Sequence, residues 1–232
     1  MNKALATLAA LMLVSTLPVA AQANNMSFFI TSVGSLDGAN LGGLDGADQR
    51  CEDLAFAVGA GDMEWRAYLS QMAMGGRAAI NARDRIGAGP WVNYHGDMIA
   101  QDVTDLHTDN ANLSKSSILT ERGSVVNGRG DTPNTHDILT GSNLDGTVYT
   151  GDGADACSNW TSGADGVGSA RVGHFDRSGG GENPTSWNSA HDSRGCSQAN
   201  LRGSGGNGYF FCFAAGEDGA QQQEQQQGLQ EE

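Results

Sequence analysis

Positive charge is scarce in this 232-residue chain: 13 Lys and Arg stand against 27 Asp and Glu, a formal net charge of −14. DNA, RNA, heparin-like polymers and anionic membranes all call for a dense basic face, so none of them is an expected partner. Aromatic residues are only 6% of the chain. Past the N-terminus no apolar run approaches the roughly 20 residues that span a bilayer. No Cys-x-x-Cys pair occurs, and the cysteine spacings suit no zinc pattern. There is no Gly-x-Ser-x-Gly elbow and no Walker loop, so the usual sequence marks of an acyl-transfer or nucleotide enzyme are missing. The chain is read as non-catalytic.

Glycine, by contrast, is abundant, at 34 residues. That is about twice the usual share of 7%. Long helices are excluded, because glycine costs about 1 kcal/mol per helix position. Collagen is excluded too, since the glycines keep no three-residue period.

The two ends differ from the rest. Lys3, the apolar stretch Ala4 to Leu17 and the small-x-small text Ala21-Gln22-Ala23 predict a secretion signal over residues 1–23, with cleavage before Asn24. Residues 217–232 read EDGAQQQEQQQGLQEE, with no aromatic and no β-branched residue. Such text cannot bury enough surface to offset its ordering entropy, and a disordered tail is expected. Residues 24–216 remain, enough for one domain with a sizeable core. Without Lys3 and the five tail acids this body carries −10. A secreted or periplasmic location follows from the signal.

All four cysteines, Cys51, Cys157, Cys196 and Cys212, fall in the exported body. An even count in an oxidising compartment predicts two disulfides, and three pairings are open from the count. Context favours one of them. Ala47, Cys51, Leu54, Ala55 and Val58 share a face of an expected helix over 46–58, with Asp45 as N-cap and Asp48 near the positive end of the dipole. Cys212 lies in the aromatic strand Tyr209-Phe210-Phe211-Cys212-Phe213. A Cys51–Cys212 bridge would pin first helix to last strand, with Cys157–Cys196 nested inside.

The remaining text predicts an α+β fold. Strands are expected at 28–33 and 64–70, the latter with Trp65, Ala67 and Leu69 on one face and Tyr68 on the other. A second helix is expected over 75–86, a hairpin at 92–100 around His95-Gly96-Asp97, and short strands at 138–140 and 147–150. Residues 151–207 read as one long loop region. Such stretches are usually functional or disordered, and the inner bridge argues for order.

This nested order resembles the C-type-lectin-like fold, and within it the endostatin-like branch with its exported bacterial relatives. The residues carrying the likeness are Gly46-Ala47-Asp48 through Cys51, Trp65 to Ser70, Ala82 to Arg85, Val92-Asn93, Leu139 to Ser142 with Asp145-Gly146, Cys157 to Thr161, and Phe211-Cys212. The likeness implies a single domain that binds ligands, a glycan or an envelope protein, with Ca²⁺ as candidate cofactor. The sugar-binding members carry Trp-Asn-Asp between the inner cysteines, where this chain has Trp187-Asn188-Ser189. Their Glu-Pro-Asn or Gln-Pro-Asp motif is absent before Cys157, and endostatin's N-terminal zinc histidines have no counterpart.

Calcium wants six to eight oxygens, and the loop region is dense in carboxylates and amides. Asn143, Asp145, Trp187, Asn188, His191 and Asp192 are the candidate ligand-binding residues, with Asp145, Asn188 and Asp192 as the candidate Ca²⁺ ligands. His174-Phe175-Asp176 and His191-Asp192 offer a zinc pair with a carboxylate, against the blander reading of hydrogen-bonded structural histidines. Trp91, Trp160 and Trp187 could stack on sugars if exposed, though a core role is the favoured reading.

Overall fold

The aromatic text near the C-terminus forms the centre of the main sheet. In the computed structural model, which describes residues 25–109, 111–151 and 155–215, strand β8 (Phe211–Ala214) lies between β1 (Phe28–Ile30) and β2 (Trp65–Ala67), antiparallel to both. Phe29 and Ala67 both stand opposite Cys212 in register. Side chains alternate across a strand, so one face of this sheet carries Phe29, Trp65, Ala67 and Cys212 and the other carries Phe28, Ile30, Phe211 and Phe213. Each face buries its own core. Each fully buried aromatic or aliphatic side chain contributes about 1.5–3 kcal/mol by removal from water.

Helix α1 (Gly43–Phe56) covers the first face through Leu44, Ala47, Cys51 and Ala55. It starts earlier than the sequence predicts. Gly42, with φ of 80°, is the N-cap and Asp45 makes no cap hydrogen bond, because a glycine in the left-handed region turns the chain into the helix without one. Cys51 is bonded to Cys212, and Cys157 to Cys196. The second face packs Tyr68, Trp91, Ile99, Leu106, Ile118, Phe175 and Trp187.

Strands β3 (Trp91–Val92) and β4 (Met98–Ala100) form the expected hairpin. The helix expected over 75–86 is not formed. Gly75 and Gly76 take φ of 61° and 81°, which turns the chain back so that Gln71 pairs with Ile80, and one 3₁₀ turn follows at Ala82–Asp84. The strand expected at 147–150 is a lone bridge between Ser142 and Val148.

The region read as a long loop holds more structure than its composition suggests. Strand β5 (Asp137–Leu139) pairs with β6 (Arg171–His174), which pairs with β7 (His191–Asp192). A short helix, Gln198–Ser204, is capped by the Ser197 side chain. Residues Ala156–Trp160 wind left-handed, with φ between 48° and 67°. This turn lies at the inner disulfide and buries Trp160, whose Nε1 donates to the Ser70 carbonyl at 2.8 Å. Backbone hydrogen bonds from Leu139 to Tyr209 and from Ser70 to Thr140 stitch this second sheet to the first. Among the described residues no helix is long and apolar enough to cross a membrane. The secretion-signal and tail readings fall outside the described residues.

Candidate functional site

The three-stranded sheet β5–β6–β7 gathers the histidines. Asp137 on β5 stands directly opposite His174 on β6, and His191 on β7 stands opposite Val172, two residues before His174. His136 precedes Asp137. Three imidazoles and one carboxylate therefore meet at one end of the sheet. Their Nε2 atoms lie near the Asp137 carboxylate: His136 at 3.1 Å and His174 at 3.4 Å from Oδ1, and His191 at 3.6 Å from Oδ2. The rings of His136 and His174 stack, with centroids 4.3 Å apart and planes within 9°. His191 meets His174 edge-on.

The outer nitrogens are each engaged. His136 Nδ1 lies 3.2 Å from Asp176 Oδ1, His174 Nδ1 donates to the Pro184 carbonyl at 2.8 Å, and His191 Nδ1 donates to the Asp192 carbonyl at 3.0 Å. Asp176 is held in turn by the backbone N–H groups of Arg129 and Ser178. On the inner side, both Asp137 oxygens and His174 Nε2 are buried without a hydrogen bond. Burial pushes the Asp137 carboxyl up, but the imidazoles of His174, His191 and His136 outweigh it and hold it below the usual carboxylate range. The Asp137 carboxylate raises His191 above the ordinary histidine range, against the opposing effect of burial. Gly179 closes over the group: a Cβ there would stand 2.2 Å from His174 Cε1.

A concave surface of about 850 Å³ adjoins this group. Its walls include Arg122, Asn127, Asn134, Arg202, Asn207 and Tyr209. Asn134 Nδ2, His136 Cδ2 and Asp137 Oδ2 all flank Gly205 on its floor. Several of these polar groups are held in place. Asn207 Oδ1 accepts from Arg202 Nε and Gln198 Nε2, its Nδ2 donates to the Tyr209 hydroxyl, and Asn127 Nδ2 donates to the Pro133 carbonyl.

The residues singled out from sequence have other duties. Asn188 is buried, and its Nδ2 donates to the Tyr68 hydroxyl and to the carbonyls of Asn143 and Leu144. Asn143 donates to Thr147 and Val148, and Asp145 Oδ1 accepts from the Thr147 N–H and hydroxyl, so both shape one turn. Asp192 pairs with Arg171, whose guanidinium also meets Glu182 and lies 4.4 Å over the Tyr149 ring. The side chains expected as Ca²⁺ ligands, Asp145, Asn188 and Asp192, are engaged separately, and among the described residues neither acid belongs to a convergent group of possible metal ligands. Trp187 is packed against Tyr68 and Phe211 and is 4% exposed; Trp91 and Trp160 are buried completely. Of the sequence candidates, His191 borders the convergent group of His136, Asp137 and His174, with its Nε2 3.6 Å from Asp137 Oδ2.

Asp155, Cys157 and Cys196 also converge, but both sulfurs are spent in the disulfide. Asp137, rather than the sequence neighbours Asp176 and Asp192, is the carboxylate that His174 and His191 both face, while Asp176 lies behind His136. Asp137 and His136 were missed. The available signal was the recurrence of a histidine with an aspartate one or two residues on, as His136-Asp137, His174-Phe175-Asp176 and His191-Asp192. Comparison with protein-family models and with curated proteins finds no match for this chain.

Proposed function

We propose that the chain is an exported, non-catalytic binding module that takes a glycan in the cleft between residues 120–127, 133–135 and 202–209. The observation that carries this reading is the lining of that cleft: amides, hydroxyls, a phenol and two guanidinium groups on a concave floor. A polyol presents donors and acceptors in alternation, and a wall of hydrogen-bonded amides answers them at small entropic cost. Arg122 and Arg202 place local positive charge on a protein of net charge −14, which favours acidic sugars. The resemblance to C-type-lectin-like domains supports the same class of ligand. Two disulfides fit an oxidising compartment, and the N-terminal text supplies the export signal.

Glycan-array screening followed by calorimetric titration tests the reading, with and without added Ca²⁺. Binding that survives without Ca²⁺ and weakens at least tenfold in Asn134→Ala and Arg202→Ala is expected. Absence of any glycan binding at millimolar concentration refutes it. A metal-independent protein-binding role is the second reading, favoured by Val125, which stands 54% exposed on the rim. Loss of binding to an envelope protein in Val125→Asp, in a protein that binds no glycan, would select it.

A further inference from the structure

We propose that His136, Asp137 and His174 together bind one zinc ion, which fastens β5 to β6. The Nε2 atoms of His136 and His174 lie 3.1 and 3.4 Å from Asp137 Oδ1, and the three residues offer ligand atoms that all lie within 4.8 Å of one another. In a tetrahedral site with metal–ligand distances of about 2.0–2.1 Å, neighbouring ligand atoms stand about 3.3 Å apart. The spacing is that of ligands around a shared ion.

The tautomers make the case chemically. A backbone carbonyl can only accept, so the bond to Pro184 puts the ring proton of His174 on Nδ1. Its Nε2 then carries a bare lone pair, which faces Asp137 Oδ1. Acceptor meets acceptor in a buried space, and both Asp137 oxygens and His174 Nε2 lack a hydrogen bond. Leaving such groups unpaired is costly. Charging both imidazoles with a second proton would crowd two cations onto one carboxylate oxygen. A single divalent ion satisfies all three groups at once.

The surroundings follow the same logic. Each Nδ1 has an acceptor behind it, and for His136 this is the Asp176 carboxylate, the arrangement that fixes ring orientation and raises ligand basicity in metal sites. Imidazole with one carboxylate suits zinc and its neighbours in the transition series, and disfavours calcium, which takes oxygen cages. Three protein ligands leave the fourth position of the tetrahedron to water. The site does not depend on the glycan reading.

The test uses the mature, disulfide-bonded protein isolated from an oxidising compartment, stripped with dipicolinate and titrated with ZnCl₂, CoCl₂ and CaCl₂ by calorimetry and absorbance. One Zn²⁺ per chain, a raised Tm on zinc addition, the intense visible bands of tetrahedral Co²⁺ and no response to Ca²⁺ are expected. His174→Gln should abolish the Co²⁺ bands. Asp176→Asn, which leaves all three ligands in place, should weaken zinc binding about 10–100-fold, whereas Asp145→Asn should leave it unchanged. A folded, stripped protein that takes up no zinc at 100-fold excess overturns the proposal. So does a folded His174→Gln variant that retains the wild-type Co²⁺ spectrum.

Discussion

Asp48 on α1 and Arg85 after the 3₁₀ turn form a buried ion pair at 2.6 Å, with Asp48 Oδ2 as the shared acceptor for Arg66 at 3.1 Å. The same carboxylate accepts the Ala67 N–H at 2.8 Å, and Arg85 Nη1 donates to the Ala67 carbonyl at 2.6 Å. One side chain thus binds the first helix, strand β2 and the 82–85 turn. Breaking a buried pair from one side leaves an uncompensated charge and costs about 3–5 kcal/mol. Asp48→Asn should lose stability on that scale in urea unfolding. Arg66 is one-third exposed, so Arg66→Ala should cost under about 1 kcal/mol. Equal losses in the two variants would contradict this ranking.

That pair also shows where sequence reading succeeds and where it stops. The helix around Cys51, the strand faces of Trp65 and Tyr68 and the 92–100 hairpin were legible, because apolar periodicity and turn residues report directly on local structure. Asp48 was legible only as a charge near a helix start, since nothing local shows that Arg85 lies across from it. The histidine group was hidden for the same reason. Its members come from three strands, two of which sit in Gly-rich text with no alternation of apolar and polar residues. Glycine there serves close packing rather than disorder, a distinction that composition cannot make.

Gly173 gives that point a measurable form. It lies in β6 between Val172 and His174, and a Cβ there would fall 1.9 Å from the Trp187 carbonyl oxygen and 2.5 Å from Asn188 Cα. Both neighbours are backbone and cannot rotate away. Gly173→Ala should therefore cost at least the 1–3 kcal/mol typical of overpacking. Gly180, with open space around it, provides the control: Gly180→Ala should stay within about 0.5 kcal/mol of wild type. A Gly173→Ala protein with unchanged Tm would mean that the 187–188 segment is not packed on β6 as described.

Acid should weaken the fold at His107. Its Nδ1 donates to the Val103 carbonyl at 2.7 Å, so its Nε2 accepts the Tyr68 hydroxyl proton, also at 2.7 Å. Burial is the main cause that lowers its pKa below the ordinary histidine value. In the unfolded chain this ring titrates near about 6.5. Between that value and the lower folded one, the unfolded state holds more protons than the folded state. The stabilisation is therefore complete above about pH 6.5 and declines as pH falls through the interval below it. Tm measured from pH 8 to pH 5 should drop more in wild type than in His107→Gln. Parallel profiles would exclude His107 as a contributor.

Removing the inner disulfide should loosen one part of the molecule and spare the other. Cys157–Cys196 closes a sequence separation of 39 residues and joins the left-handed turn at 156–160 to the segment that leads into the helix Gln198–Ser204. For loops of this size the chain-entropy model allows up to about 4 kcal/mol, and measured losses for native bridges run about 2–5 kcal/mol. The left-handed backbone adds to the effect, since non-glycine residues hold that conformation only where their surroundings impose it. The outer sheet has its own bridge at Cys51–Cys212 and its own two-sided core. In Cys157→Ala/Cys196→Ala, hydrogen exchange should quicken across residues 156–197 while amides in β1, β8 and α1 keep most of their protection. If protection falls equally in both parts, the two sheets unfold as a single cooperative unit, and the inner bridge stabilises the whole domain instead of the loop layer it encloses.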